Sequence, residues 1–240
     1  MSMQKISSFN AYEFDYFKPE LRRNKVLDQH RLKVKRKLHQ IGKILLPELK
    51  KEGFEVVFNT SLHHPYIYNR FAVDSLWLYF SPSPDSCEEL KTLLGPYIGK
   101  DLKKNYNHTT LVVGIEYDGL FIALKIHPQA WWDGQNLKNK CKKPDQRKEF
   151  LLLLNQLEGY HLLLDNLPHK RICKELRLEG LKSFFKYYIP GEHWLHLKYC
   201  MKKEDKLATN IEFINFAKKQ LLLLQPVYKF IRWNTENNYL

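Results

Sequence analysis

The chain has 240 residues, and because 39 are Lys or Arg and 26 are Asp or Glu, its formal net charge at pH 7 is +13. This length can bury a large core. The charge makes a polyanionic partner the first hypothesis to test, although a merely solubilising basic surface would give the same count. The four cysteines are scattered without a CxxC pair and the chain starts without an apolar signal region, which together predict a reduced, cytoplasmic protein. The apolar runs are far shorter than the roughly 18 residues of a membrane span, which excludes a transmembrane segment.

The N-terminal part of the chain combines an aromatic segment with a basic amphipathic helix. Residues 1–20 carry several Phe and Tyr side chains, which predicts an ordered arm lying against the rest of the fold. From about residue 21 to 46, apolar residues recur at helical spacing on one stripe, formed by Leu27, Val34, Leu38, Ile41 and Leu45. The remaining helix surface is basic, with Asp28 as its acid among Arg22, Arg23, Lys25, Arg31, Lys33, Lys35, Arg36, Lys37 and Lys43. The sequence therefore predicts a long basic helix that Pro47 kinks or restarts.

Strands and a hairpin are predicted next. Residues 54–58 and 73–80 have the composition of strands, and Ser86 opens a predicted short helix. Between residues 109 and 132, Asp118-Gly119 separates two runs of β-branched and aromatic residues, which is a strong signal for a type I′ turn. Counting outward from a turn at 118–119 gives one wholly apolar face, which is predicted to be core.

The other face of this hairpin has a different character. It pairs Gly114 with Ala123 in the predicted register, and these small residues leave a shallow hollow in the middle of the face. Either a helix or a ligand is expected to fill that hollow.

The second half of the chain is predicted to combine helices with a strand. Residues 137–148 form a lysine-rich block that reads as an exposed loop leading into a helix over 149–157, and residues 193–201 read as a strand. Residues 205–234 form a C-terminal helical segment. The complete prediction is a single α+β domain over residues 1–240. Its one sheet is mixed and mainly antiparallel and has the hairpin at its centre. The long basic N-terminal helix and a C-terminal helix pack against this sheet.

The order of these elements resembles that of two families of uncharacterised bacterial α+β proteins, DUF2461 and DUF1054. The resemblance covers about residues 20–130 and 205–233, and it rests on this order and on Leu38, Trp77, Phe80 and Pro226. It implies a bacterial or phage-related source and a single mixed sheet with helices against it. It implies no activity, because these families have no established mechanism.

Basic residues interleaved with aromatic ones favour nucleic-acid binding as the function. Lys and Arg neutralise phosphates with release of counterions, and unpaired bases stack on aromatic rings. The candidate contacts lie on the first helix, on a tryptophan pair and in the lysine-rich block: Arg31, Lys33, Arg36, Lys37, Lys43, Trp131, Trp132, Lys138, Lys140, Lys142 and Lys143. The predicted protein binds DNA or RNA without catalysing a reaction, alone or in a complex with a protein partner, and needs no cofactor.

Two other functions remain open at this stage. A metal-dependent hydrolase, such as a nuclease using Mg²⁺, would place Asp74, Glu116, Lys125 and His127 around the metal, although position 123 is alanine where a restriction-type motif has a carboxylate. A protein-interaction subunit whose charge is incidental is the third possibility. No metal ligands are predicted, because the nearest pair, His193 and His196, points to opposite faces of a strand.

Overall fold

The computed structural model of the protein describes residues 8–83, 107–165 and 170–240. In these ranges the α-helices are α1 (Asp28–Lys51), α2 (Trp131–Lys140), α3 (Pro144–Asn155), α4 (Leu178–Tyr187), α5 (Phe213–Leu223) and α6 (Gln225–Ile231). The strands are β1 (Val56–Thr60), β2 (Ser75–Pro82), β3 (Thr110–Glu116), β4 (Gly119–Ile126), β5 (Tyr160–Leu164), β6 (Arg171–Ile172) and β7 (Leu195–Lys202). The predicted α+β class is confirmed, and the helix predicted at Ser86 lies outside the described residues. No helix in the described ranges combines the length and apolar character that a bilayer crossing requires.

The described strands form one antiparallel sheet in the order β1-β2-β3-β4-β7-β5-β6. Because β4 is the middle strand of this order, the predicted hairpin is the centre of the sheet. Strand β5 pairs with both β6 and β7, with Leu162 opposite Leu197 in the β5–β7 pair. The prediction of a single, mainly antiparallel sheet around the hairpin is therefore confirmed.

The hairpin turn lies one residue earlier than the centre predicted for it. Strand β3 ends at Glu116 and β4 begins at Gly119, so Tyr117 and Asp118 occupy the turn. A type I′ turn needs positive φ at both central residues, and Asp118 does not have it. Gly119, which has a φ of 148°, is instead the first residue of β4.

The glycine at position 119 is required by a close approach of the backbone. The amide of Lys203 donates to the carbonyl oxygen of Asp118 at 3.0 Å, which draws the end of β7 against the turn. A Cβ atom on Gly119 would overlap the carbonyl oxygen of Met201. The Asp-Gly pair thus marks the hairpin correctly. The glycine is required because the backbone of β7, about 80 residues later in the chain, packs directly against it.

Both faces of the hairpin are covered. Seven side chains of the face predicted to be core are buried, namely Leu111, Val113, Ile115, Leu120, Ile122, Leu124 and Ile126, and Tyr117 beside the turn is half-buried. The hollow predicted at Gly114 is already occupied, because a Cβ there would overlap the ring of Phe121 and would lie 2.9 Å from the carbonyl oxygen of Leu76. The space at Gly114 is therefore part of the packed core.

The chain divides into two compact units. The first comprises residues 1–80, 112–122 and 200–222, and the second comprises residues 81–111, 123–199 and 223–240. In the first unit, the α1 residues Val34, Leu38 and Leu45 are buried, as the helical stripe predicts. The helix starts at Asp28, seven residues later than predicted, and it continues through Pro47 to Lys51.

The N-terminal segment of the first unit packs on α1 and α5. Residues Ala11–Phe17 form a 3₁₀-helix, and Phe14 and Phe17 are buried. Phe9 meets Phe213 of α5 edge to face with ring centroids 6.4 Å apart. This segment therefore covers part of the surface of α1 that the sequence alone shows as basic.

The second unit is closed by its most C-terminal residues. The buried carboxylate of Asp133, on α2, accepts hydrogen bonds from the Thr109 amide and hydroxyl, both at 2.7 Å, and from the Trp233 amide at 2.8 Å. The Asn136 side chain donates to the Ile231 carbonyl at 3.3 Å and accepts from the Tyr239 amide at 2.8 Å. Two side chains of α2 thus bind segments that are distant in the sequence.

Candidate nucleic-acid interface

The solvent-facing side of α1 carries a row of exposed basic residues. Lys33, Arg36 and Lys43 of the predicted set are exposed, and Lys50 continues the row. These residues follow one another at intervals of three and seven, so they share a face, and the row is about 26 Å long at 1.5 Å per residue. None of the four forms an ion pair or hydrogen bond with a described side chain. We call this row the α1 basic face.

Lys50 is the member of this face that the sequence analysis missed. The predicted apolar stripe and its basic residues stopped near residue 46, and Pro47 was expected to kink or restart the helix because proline lacks an amide hydrogen and disfavours the helix interior. Since α1 passes through Pro47, Lys50 falls seven residues after Lys43, on the same face. The seven-residue interval between Lys43 and Lys50 is visible in the sequence. A helix predicted to continue through Pro47 would have placed both lysines on one face.

The prediction for Arg31 is wrong, because this side chain is fully buried. Its guanidinium donates to the carbonyl oxygens of Tyr16 at 3.0 and 3.3 Å, Leu21 at 2.8 Å and Asn24 at 3.1 Å. Burial lowers the pKa of Arg31, and nearby Asp28 opposes that effect. Arg31 therefore holds the segment before α1 in place and is not accessible to a phosphate.

Lys37 was also predicted to face solvent, and it does not. Its ammonium lies 2.7 Å from a carboxylate oxygen of Glu13 and donates to the carbonyl oxygen of Ser8 at 2.9 Å. The Glu13 side chain is 5% exposed, so removal of Lys37 would leave a buried carboxylate without its counter-charge. Lys37 therefore attaches the N-terminal segment to α1.

The lysine-rich block is a helix and a short connection, and its first two predicted contacts are structural. Lys138 and Lys140 both belong to α2, and Lys138 donates to the Tyr188 carbonyl at 2.7 Å. Lys140 is buried, donates to Asn237 Oδ1 at 2.8 Å and lies 3.8 Å from the ring centroid of Phe230. Burial lowers its pKa. These two lysines are corrections to the predicted interface.

The connection between α2 and α3 retains exposed charge. Lys142 and Lys143 are exposed, and they contact Asn139 Oδ1 at 2.9 Å and the Tyr239 ring at 4.7 Å, respectively. These weak surface contacts leave both ammonium groups near solvent. This corner is a smaller basic surface of the second unit.

The tryptophan pair at the start of α2 divides into one exposed ring and one packed ring. Trp131 is 40% exposed and meets Trp132 edge to face with centroids 4.8 Å apart. Trp132 in turn stacks on Trp233 at 5.5 Å and 24°. Of the predicted tryptophan pair, Trp131 is the more exposed residue.

The four residues of the hydrolase alternative lie in different settings. Asp74 is exposed and forms an ion pair with Arg22 at 3.6 Å, and Glu116 is the half-buried last residue of β3. Lys125 is half-buried on β4, and His127 follows that strand with its ring 4.2 Å from the ring of Trp194. In residues 8–83, 107–165 and 170–240, no group of three or more His, Cys, Asp or Glu side chains is arranged to hold a metal ion.

His127 and His196 form a cluster with Trp194 in the second unit. The His196 ring stacks on Trp194 at 5.5 Å and 7°. Burial lowers the pKa of His196 to about 3, and the positive charges of Lys125 and Lys198 and the ring of His127 add to this effect. Burial also lowers the pKa of His127 to about 4. Both imidazoles are therefore neutral at physiological pH.

This cluster predicts a loss of stability in mild acid. Above the unfolded pKa of about 6.5, both states hold neutral imidazoles and these groups add no pH dependence. Below it, the unfolded chain binds protons that the folded chain excludes. Each histidine then lowers the free energy of unfolding by up to about 1.4 kcal/mol per pH unit, until the pH reaches its folded pKa. Urea denaturation between pH 7 and pH 5 measures this slope.

A matched variant separates the histidines from titrating carboxylates. His196→Phe keeps a ring against Trp194 and cannot bind a proton, so its stability should fall less steeply than that of the parent between pH 7 and pH 5. Identical slopes in the parent and in His196→Phe would contradict the role assigned to His196.

A comparison of the chain with known protein-family models found no match, and a comparison with curated proteins found no similar sequence.

Proposed function

We propose that this protein binds nucleic acid through the α1 basic face and does not itself catalyse a reaction. The observation that carries the proposal is the row of Lys33, Arg36, Lys43 and Lys50, four exposed cations on one face of a helix without a described ion-pair partner. Elsewhere in the first unit, several lysines are neutralised locally, as in the pairs that Lys51 and Lys218 form with Glu48 at 2.7 and 2.6 Å.

The proposal rests on the free energy of neutralising phosphates with exposed cations. Exposed lysine and arginine side chains are already hydrated and mobile, so contact with a phosphate releases condensed counterions at little desolvation cost. A rigid helix of this length holds its charges at fixed intervals along about 26 Å, which matches an extended phosphate backbone better than scattered surface lysines do. The net charge of +13 adds long-range attraction.

A triple charge variant tests the proposal. Lys33→Gln, Arg36→Gln and Lys43→Gln together should leave the unfolding free energy within about 1 kcal/mol of the parent, because all three side chains are exposed. Affinity for a labelled duplex should fall, and the slope of log K against log salt should become shallower by about 0.9 for each phosphate that the variant no longer neutralises. Fluorescence anisotropy at several salt concentrations measures both quantities.

The control removes the same charge from another surface of the first unit. Lys202→Gln, Lys206→Gln and Lys219→Gln replace three exposed lysines that lie outside the α1 basic face. This variant should keep most of the parent's affinity and its salt slope. If the two triple variants lose affinity equally, binding reflects net charge alone, and if the parent itself does not bind, the proposal is wrong.

A further inference from the structure

An exposed aromatic loop precedes β2 in the first unit. Residues 62–71, with the sequence LHHPYIYNRF, are defined here as the aromatic loop. Four of its large side chains are exposed to an extent that is unusual for apolar groups: Leu62 37%, Tyr66 47%, Ile67 62% and Phe71 56%. Such a concentration of exposed apolar side chains, two of them aromatic, in one short segment is typical of a binding surface.

The loop is held in a defined conformation. The Asn69 side chain accepts a hydrogen bond from the Tyr66 amide at 2.7 Å and donates to the His64 carbonyl at 2.9 Å. The Phe71 amide donates to the Tyr66 carbonyl at 2.8 Å. Because these bonds close the loop on itself, the rings project from a fixed backbone and lose little freedom on binding a partner.

Two consecutive residues of the loop have left-handed backbone conformations. Arg70 has a φ of 52° and Phe71 a φ of 57°, which side chains with a Cβ rarely adopt. Strain of this kind persists where the surrounding structure imposes it, and it is concentrated at ligand-binding and active sites. Here both side chains, Arg70 and Phe71, are exposed.

Positive charge outweighs negative charge beside the loop. Burial lowers the pKa of His63, the neighbouring charges of His64 and of Lys35 on α1 add to this effect, and the charge of Asp28 on α1 opposes it, which places the loop beside the N-terminal half of that helix. The Val73 amide donates to the Arg22 carbonyl at 2.8 Å, so the loop ends beside the exposed residues Arg22 and Arg23. The carboxylate of Asp74, next to this end, is already paired with Arg22.

We infer that the aromatic loop stacks unpaired bases of a single-stranded nucleic acid whose backbone runs along the α1 basic face. This inference rests on the proposed function and names its substrate class. Aromatic rings among arginine and histidine side chains suit bases attached to phosphates, since each base has a face that can stack and each phosphate needs a cation. A duplex keeps its bases stacked on one another and offers the loop no such face.

A double variant of the loop tests the inference. Tyr66→Ser and Phe71→Asn remove two exposed rings without changing the charge, and asparagine tolerates the left-handed backbone at position 71. Affinity for a labelled oligothymidylate should fall at least about tenfold, from the loss of base stacking, with an unchanged salt slope. Affinity for a duplex of equal length should not change. Tyr187→Gln, which removes an exposed ring of α4, should bind both probes as the parent does.

The outcomes separate this inference from the proposed function. If the α1 triple variant binds weakly and the loop variant binds oligothymidylate as the parent does, the loop inference is wrong and the proposed function stands. An equal loss on duplex and single strand also overturns the inference, since stacking on unpaired bases would not produce it. If the parent binds anionic lipid vesicles, and the loop variant does not bind them but still binds oligothymidylate as the parent does, the loop contacts a membrane surface instead. If the parent binds neither nucleic acid, both proposals are wrong.

Discussion

Replacement of Gly119 by alanine should lower the free energy of unfolding by about 3 kcal/mol or more. The added Cβ would overlap the carbonyl oxygen of Met201 and would lie 2.8 Å from the Lys203 amide nitrogen. Both are backbone atoms at the end of β7, so no side chain can rotate away to relieve the clash. The φ of 148° adds a strain that alanine does not tolerate. Urea denaturation followed by circular dichroism measures the change.

Gly53→Ala is the matched control for this variant. Gly53 follows α1 with a φ of 79°, and a Cβ there would have no atom within 4 Å. Gly53→Ala should therefore lower the free energy of unfolding only by the backbone strain, about 1–2 kcal/mol. The difference between the two variants reports the contact with β7 together with the greater backbone strain at a φ of 148°. If Gly119→Ala is as mild as Gly53→Ala, the close approach of Met201 is not a feature of the folded protein.

The second large effect is expected at Arg31. Arg31→Met fills a similar volume but removes every donor that now reaches the carbonyl oxygens of Tyr16, Leu21 and Asn24. A hydrogen bond to a charged donor contributes about 1.5–3 kcal/mol, so the total loss should be about 3–5 kcal/mol, because water can replace part of the lost donors and methionine is easier to bury than a cation. Equilibrium unfolding in urea provides the measurement.

The exposed Arg36, five residues later on the same helix, provides the control. Arg36→Met removes the same charge from the α1 basic face and should change the unfolding free energy by less than about 0.5 kcal/mol. The two variants should also differ in function: Arg36→Met weakens nucleic-acid binding in a stable protein, and Arg31→Met weakens the protein itself. A stable Arg31→Met variant with reduced binding would restore Arg31 to the interface.

The contrast between these two arginines explains why the fold was easier to predict than the site. Helical periodicity identified Val34 and Leu38 as buried, because an apolar stripe needs only its own spacing to be recognised. The same spacing cannot show what covers the flanks of a helix. Arg31 and Lys37 are structural because the segment from Ser8 to Asn24 packs on them, and that contact leaves no periodic signal.

The same limit applies to Lys140 and to the hairpin turn. Lys140 is buried by Phe230 and Asn237, which are 90 and 97 residues away in the chain. The hairpin turn lies one residue earlier than predicted, at a place where the end of β7 contacts it. Turn preferences depend on local sequence alone and cannot account for a contact with a distant strand. The hairpin strands β3 and β4 could be predicted because the two runs of β-branched and aromatic residues beside Asp118-Gly119 are recognisable from local sequence alone.

The hydrogen bonds of Asp133 also set an order of events during protein synthesis. Thr109 precedes Asp133 by 24 residues and Trp233 follows it by 100, and the same carboxylate binds both amides. While the ribosome is still translating the region between them, Asp133 has one set of donors and lacks the other. The second unit therefore cannot reach its final packing until residues 233–239 have emerged, and its folding is completed only after this segment has been translated.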